Sequence, residues 1–102
     1  MDERGRWLLG PQAESRTEYR VRVRTKEGVR MYIVDRAFRA VDGARWVIDY
    51  KTSRHEGSDV DAFLDRERER YREQLKVYGQ ALQSSSAGLY FPLLRGWRQS
   101  DF

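Results

Sequence analysis

Hydrophobic and polar residues alternate along three segments in the first half of the chain, as is typical of half-buried β-strands. The first segment is strictly alternating and places Arg20, Arg22 and Arg24 on one face. The second and third are rich in β-branched and aromatic residues. We therefore predict strands over residues 19–24, 29–38 and 45–52, separated by turns at 26–28 and 42–43.

The second half of the chain begins with a helical pattern over residues 59–82. Its apolar residues recur at intervals of three, four and seven, which places them on one helix face: Leu64, Tyr71, Leu75, Tyr78 and Leu82. Ser58 or Asp59 can cap the first turn. A fourth strand is predicted at 89–91, ended by Pro92. The order is then β-β-β-α-β, an α/β (or α+β) layered fold with a mixed sheet of about four strands.

The ends of the chain carry weaker signals. Residues 1–17 are predicted to be irregular, with Trp7-Leu8-Leu9 as the tail of a helix, and residues 93–102 are predicted to form a trailing segment. Trp97 in that segment either packs on the sheet or contacts another part of a larger protein. We expect residues 1–102 to form a single domain.

The composition excludes several kinds of structural and metal site. The absence of cysteine excludes disulfides and thiolate metal sites, and a single histidine, His55, excludes a multi-histidine zinc site within these 102 residues. No segment has the roughly 18 consecutive apolar residues of a membrane span. The formal charge of +4 is compatible with a polyanionic partner. We expect a monomeric chain in a reducing, cytoplasmic setting.

Charged residues interrupt the two most apolar predicted strands. Asp49 and Lys51 flank Tyr50 after Trp46-Val47-Ile48, and residues i and i+2 of a strand share a face. Asp35 stands in the same position on the preceding strand, after Ile33-Val34. Two carboxylates from adjacent strands make an oxygen-rich site for Mg²⁺ or Mn²⁺, and Lys51 can stabilise negative charge beside it.

The turn between these strands decides whether the carboxylates meet. A two-residue turn at Asp42-Gly43 places Asp35 opposite Tyr50, on the wrong face. A three-residue loop, Asp42 to Ala44, pairs Val41 with Arg45 and Asp35 with Lys51, so we predict an odd-length loop or an equivalent bulge. The spacing alone leaves a plain alternative about equally weighted, in which Asp49 pairs with Lys51 and Asp35 with Arg36 as structural ion pairs.

Two further features have both functional and structural interpretations. Gln74 and Tyr78 share the apolar helix face at i and i+4, where the glutamine either serves a site or is a satisfied core residue. The arginine row at residues 20, 22 and 24 either follows a phosphate backbone or is a solvated strand face, and the solvated face is favoured about two to one.

Taken in order, three motifs resemble the RecB-like nuclease module of the PD-(D/E)XK superfamily. They are Ile33-Val34-Asp35-Arg36, then Val47-Ile48-Asp49-Tyr50-Lys51-Thr52, then Gln74 to Tyr78 as Q-x-x-x-Y. The likeness runs from about Glu18 to the end of the helix and on to the strand at Leu89-Tyr90-Phe91. It is nearest to the domains at the C-terminus of UvrD/Rep-type helicases, such as the exonuclease V β-subunit and AddA-like proteins.

The resemblance implies a restriction-endonuclease-like core and a role for each matched residue. Asp35 and Asp49 would be metal ligands, joined by the backbone carbonyl of Tyr50, and Lys51 would be the catalytic lysine. The residues implied to support the site or contact DNA are Gln74, Tyr78, Arg36 and Thr52. Glu18 matches a glutamate that often opens the first strand, with no clear role.

The function that the resemblance implies is Mg²⁺- or Mn²⁺-dependent hydrolysis of DNA, within a helicase–nuclease of DNA repair or recombination. Expected partners are DNA, the parent helicase chain and subunits of its complex. The family usually supplies another metal ligand, often histidine, from a helix before the first strand. That helix is largely missing here, so the chain resembles a fragment. The alternative function is an inactive DNA-binding or scaffold domain of such a helicase.

Overall fold

The computed structural model describes residues 2–55, 57, 59–84 and 86–102. It contains two helices and five strands. In chain order these are α1 (Glu3–Leu9), β1 (Ala13–Thr25), β2 (Gly28–Arg39), β3 (Arg45–Tyr50), α2 (Val60–Ala81), β4 (Ser86–Phe91) and β5 (Gly96–Asp101).

The strands form one mixed sheet in the order β1-β2-β3-β4-β5. Strands β1, β2 and β3 are successive antiparallel neighbours, β4 is parallel to β3, and β5 is antiparallel to β4. The parallel pair requires a crossover connection, which α2 supplies between β3 and β4. The expected mixed α+β sheet with a β-β-β-α-β core is therefore present, and the carboxyl ends of β3 and β4 lie together, where α/β sheets commonly place their sites.

Both ends of the chain are more ordered than the sequence analysis predicted. The sheet has five strands rather than four, because the predicted tail contains β5, which pairs with β4 along its whole length. Residues 1–17 were wrongly predicted to be irregular, because α1 occupies Glu3–Leu9 and β1 begins at Ala13. The polar start of β1 lacks a hydrophobic signal, yet Ala13, Arg16 and Thr17 pair with the end of β2.

Helix α2 lies where its apolar periodicity predicted it. Its side chains Leu64, Leu75 and Tyr78 are buried against one face of the sheet, with Val47 and Leu89 among their neighbours in the main core. Asp59 caps the first turn by accepting a hydrogen bond from the backbone N–H of Ala62, at 2.9 Å. Ser58, the other predicted cap, lies outside the described residues.

A second core lies on the opposite face of the sheet, beneath α1. Leu8, Phe38 and Ile48 are buried there together with Tyr90. The indole of Trp7 packs edge-on against Trp46, with ring centroids 5.2 Å apart, and Trp97 of β5 joins them. Trp97 therefore packs on the sheet, as one of its two interpretations proposed.

The loop between β2 and β3 has the predicted odd length but not the predicted register. Arg39 pairs with Arg45, and the N–H of Ala40 donates to the carbonyl of Ala44 at 2.8 Å, which leaves Val41, Asp42 and Gly43 as the loop. Gly43 has φ 88°, the left-handed conformation that glycine favours at the end of a three-residue hairpin loop. The predicted pairs of Val41 with Arg45 and Asp35 with Lys51 are wrong by two residues of register, which leaves the face of each side chain unchanged.

The close packing of Trp97 over Gly88 yields a stability prediction. A Cβ atom on Gly88 would lie 2.0 Å from the Trp97 ring, and the ring is confined by Trp7 and Trp46. We expect Gly88→Ala to lower the free energy of unfolding by about 1–3 kcal/mol, because overpacking forces the ring to move. Urea denaturation measures the change, and Trp97→Leu is the matched background. An equal cost of Gly88→Ala in both backgrounds would contradict the assigned contact.

Candidate active site

Asp49 and Lys51 lie at the carboxyl end of β3 on the face that α2 covers. The Nζ atom of Lys51 is 2.9 Å from Oδ2 of Asp49, and their side chains are only 19% and 13% exposed, respectively. Both follow Val47, which is fully buried in the main core on the same face. The strand alternation therefore places a lysine and a carboxylate in a largely desolvated position, where each is costly without a partner.

Asp35 joins this pair from β2. Pairing of β2 with β3 continues to Arg36, which lies opposite Ile48, and one further step of the same register places Asp35 opposite Asp49. At that level the backbone N–H of Tyr50 donates to Oδ2 of Asp35 at 2.8 Å, so the side chain provides an acceptor for the end of β3. The Asp35 side chain is also close enough to Asp49 to raise the pKa of that carboxyl group. The expectation that the two carboxylates meet on one face is confirmed.

The face that β2 presents changes just before Asp35. Val34 packs in the main core beneath α2, whereas Phe38 packs in the second core, although a regular strand would put both on one face. Ala37 returns to the main core, so the alternation shifts between Val34 and Asp35. This irregularity gives Asp35 the same face as Asp49 while Val34 still covers the core.

The carboxyl group of Asp49 keeps its proton to a higher pH than an exposed aspartic acid does. Burial is the main cause that raises the pKa of Asp49 from 3.8 to about 6; a hydrogen bond from the protonated Asp49 carboxyl to Asp35 adds to the rise, and the nearby Lys51 ammonium offsets part of it. The charge of Asp35 adds a smaller rise, because like charges close together disfavour double ionisation. A divalent cation bound here would favour the ionised form of Asp49 and lower this pKa.

Tyr71 and Tyr78 of α2 lie near the lysine and the carboxylates. The Nζ atom of Lys51 lies 3.6 Å from the centroid of the Tyr71 ring, in cation–π contact. Gln74 donates from Nε2 to the hydroxyl of Tyr78 at 2.7 Å, and the Tyr78 ring packs edge-on to Tyr32 of β2. Gln74 and Tyr78 therefore form a bonded pair on α2, and their supporting role remains what the Q-x-x-x-Y resemblance implies.

Tyr71 was missed by the sequence analysis, which assigned it only to the apolar helix face. The available signal was its spacing, since Tyr71, Gln74 and Tyr78 follow one another at three and four residues and thus share a face. An aromatic residue at such a position is usually core, and only the position of Lys51 shows that the ring contacts a charged group.

Other predicted site residues lie apart from the carboxylates. Arg36 points to the opposite face, is 7% exposed, and donates from Nη2 to the carbonyl of Gly10 at 3.0 Å. The side chain of Tyr50 also joins that second core, although its backbone lies between Asp49 and Lys51. Thr52 is exposed in the segment after β3. The fold does not bring the Arg36 side chain to the site.

Glu18 lies on the strand beside Asp35. Thr17 pairs with Arg36 and Tyr19 with Val34, so Glu18 falls opposite Asp35 in the register between β1 and β2. Its φ of 49° is rare for a residue with a side chain, and it is exposed. Across the part of the chain that the structure describes, no cluster of three or more His, Cys, Asp or Glu side chains is suited to a metal ion. Glu18 is thus a neighbour of the carboxylate pair in the sheet without converging on it.

Comparison with known proteins adds no family assignment. No protein-family model matches the chain, and a search of curated proteins finds no significant match. Neither described helix has the combination of length and apolar character that a membrane span requires.

The raised pKa of Asp49 predicts an unusual pH dependence of stability without divalent cations. As the pH rises from about 4 to 6, the unfolded chain releases this proton before the folded chain does, because the folded pKa is the higher one. The contribution of Asp49 to the free energy of unfolding is therefore present below about pH 4 and is lost as the pH rises through about 6. We expect Asp49→Asn to remove that loss.

Chemical denaturation at pH 4 and pH 7 tests this expectation. The wild-type chain should lose more stability between the two values than Asp49→Asn does. Asp42→Asn, in the exposed β2–β3 loop, is the matched control and should follow the wild type. Parallel changes in wild type and Asp49→Asn would contradict a raised pKa of Asp49.

Proposed function

We propose that this chain is the nuclease core of a helicase–nuclease and hydrolyses DNA phosphodiester bonds with a divalent cation held by Asp35 and Asp49. The observation that carries the proposal is the pair of adjacent side chains, Asp35 and Asp49, at the end of β3, with the Lys51 ammonium 2.9 Å from Asp49. That set of groups occurs where β3 ends beside the parallel strand β4. The motif resemblance around these residues gives the substrate class and the helicase context.

The donor set fits a hard divalent cation. Mg²⁺ is commonly held by one or two protein carboxylates, with water and substrate phosphate oxygens completing its shell. Asp35 and Asp49 supply two such carboxylates, and Lys51 offsets only part of the rise that burial and Asp35 give to the pKa of Asp49. When bound, a divalent cation would act as a Lewis acid toward a phosphate oxygen and make water more acidic.

The protein's own groups have separate roles in this proposal. Lys51 is held between the Asp49 carboxylate and the Tyr71 ring, so its ammonium is preorganised to donate a hydrogen bond to a phosphate oxygen as negative charge develops there. Tyr71 acts as a positioning residue for Lys51. Gln74 donates a hydrogen bond to Tyr78 on α2, and its side chain is exposed. In this proposal the Gln74 amide contacts the bound DNA strand.

A second candidate function has its own support. The described residues contain no third acidic or histidine ligand that converges on the pair, and an additional ligand is what the nuclease resemblance implies. The same fold with weak cation binding would then serve as a DNA-binding or scaffold domain of the helicase. This candidate predicts DNA binding without cleavage.

A nuclease assay on single- and double-stranded DNA with Mg²⁺ or Mn²⁺ separates the two functions. We expect cleavage that falls at least about 100-fold in Asp35→Asn, Asp49→Asn and Lys51→Met, because each removes a group acting on the developing charge. Arg72→Gln, on the exposed face of α2, is the control and should retain cleavage. DNA binding without metal-dependent cleavage would overturn the nuclease proposal and favour the scaffold. Cleavage that none of the three substitutions reduces would also overturn the proposal, because it would not come from this site.

A further inference from the structure

The hairpin of β1 and β2 extends beyond β3 and has one uncovered face. Residues 28–34 of β2 pair only with β1, because the pairing of β2 with β3 starts at Arg36 and the contacts with β3 start at Asp35. The inner face of this extension is covered, since Tyr19, Val21, Val23, Tyr32 and Val34 pack in or against the main core. The outer face carries six side chains, which are Arg20, Arg22, Arg24, Val29, Met31 and Ile33.

These six residues form two parallel rows, which together are termed the hairpin face. Arg20 lies opposite Ile33, Arg22 opposite Met31, and Arg24 opposite Val29, so each arginine has an apolar residue as its direct cross-strand neighbour. Cross-strand neighbours in an antiparallel pair have Cβ atoms about 4.5–5.5 Å apart. The face is therefore an aliphatic row bordered along its length by a cationic row.

The three side chains of the apolar row are each more than half exposed to solvent. Val29 is 63% exposed, Met31 53% and Ile33 55%. Scattered apolar residues are normal on protein surfaces, but a contiguous row that includes β-branched side chains on an otherwise solvated strand face typically marks an interaction site.

The charged side chains of the hairpin face itself are all arginines. Acidic residues of the hairpin lie off this face: Glu27, in the turn, pairs at 3.0 Å with Arg30, which is on the other face of β2. None of the ion pairs formed among the described residues includes an arginine of the hairpin face. Among the described residues the cationic row thus forms no ion pair, and a partner that supplies acidic groups gains complementarity.

We propose that the hairpin face binds an acidic amphipathic helix of a partner protein. A helix about 10 Å wide matches two strands spaced about 4.8 Å apart, and its apolar stripe would cover the row at Val29, Met31 and Ile33. Glu or Asp side chains along one flank would pair with the arginine row. This surface is on the side of the sheet away from Asp35, Asp49 and Lys51, so the inference is independent of the proposed catalysis.

Other occupants meet the face less well. A phosphate backbone would pair with the arginines but would leave the aliphatic row uncovered, since nucleic-acid contacts bury polar and charged surface. A second copy of the chain would bring six arginines together with no acidic residue on either face, which like-charge repulsion disfavours. Only a surface that is both apolar and acidic satisfies both rows.

A fluorescence-anisotropy titration with a labelled synthetic helix tests the proposal. The probe is a peptide of about 18 residues, long enough to form a helix, with a leucine stripe flanked by Glu on one side. We expect saturable binding that weakens about tenfold in Met31→Ser and several-fold in the double variant Arg22→Gln/Arg24→Gln. Raising the salt concentration should weaken it as well. A peptide with Lys in place of Glu should not bind.

Matched controls exist in the same chain. Arg30→Gln changes an exposed arginine of the same hairpin on its other face, and Leu93→Ser changes an apolar side chain 52% exposed elsewhere, against 53% for Met31. Both should leave the affinity unchanged. All substituted side chains are exposed, so circular dichroism should show the wild-type fold.

Three outcomes would overturn the proposal. The first is no binding of the acidic peptide, or binding that the control substitutions weaken as much as those on the hairpin face. The second is binding of a DNA oligonucleotide that depends on Arg22 and Arg24 but not on Met31, which would make nucleic acid the occupant. The third is self-association in sedimentation velocity that Met31→Ser abolishes, which would make a second copy the occupant.

Discussion

Asp35 and Asp49 bring two carboxyl groups close together at the end of a buried strand, and the geometry of the site follows from holding them there. Burial disfavours the ionised form of Asp49, and the neighbouring Asp35 adds to that effect, which is why the pKa of Asp49 rises to about 6. The sheet must therefore supply the stability that the pair removes. It does so through well-packed side chains directly behind the site, where Val47, Ile48 and Leu89 are fully buried.

The same register that joins the carboxylates also positions their neighbours. The odd-length loop at Val41-Asp42-Gly43 sets Asp35 at the level of Asp49, and the carboxylate of Asp35 then accepts the N–H of Tyr50. Lys51 follows two residues after Asp49 on the same face, where the ring of Tyr71 contacts its ammonium group. The loop length, the alternation of the strands and the position of α2 together bring Asp35, Asp49 and Lys51 into one site.

The sequence predicted the features that depend on local periodicity. The face of Asp35 relative to Asp49 followed from strand parity, and α2 with its Asp59 cap followed from apolar spacing and capping chemistry. The loop register was missed because the prediction used Ala44 in the loop, whereas Gly43 at φ 88° closes it one residue earlier.

Features that depend on distant pairing were not predictable in this way. Strand β5 includes the polar run Gln99-Ser100-Asp101, which forms a strand because β4 offers it an edge. Tyr71 was assigned to the core because its contact with Lys51 arises only when α2 folds across β3. Arg36 was expected to support the site because it belongs to the matched motif, but adjacent residues in a strand face opposite ways, and its side chain lies over Phe38 on the other face.

The central claim is that Asp35 and Asp49 form a site for a divalent cation. A titration of the chain with Mn²⁺, followed by residue-resolved NMR, tests this claim most directly because the paramagnetic ion broadens signals near its binding site. The account predicts selective loss of the amide signals of Asp35, Asp49, Tyr50 and Lys51 at low Mn²⁺, abolished in Asp49→Ala and reversed by excess Mg²⁺. Broadening centred on exposed acidic residues of α2, or unchanged by Asp49→Ala, would contradict it.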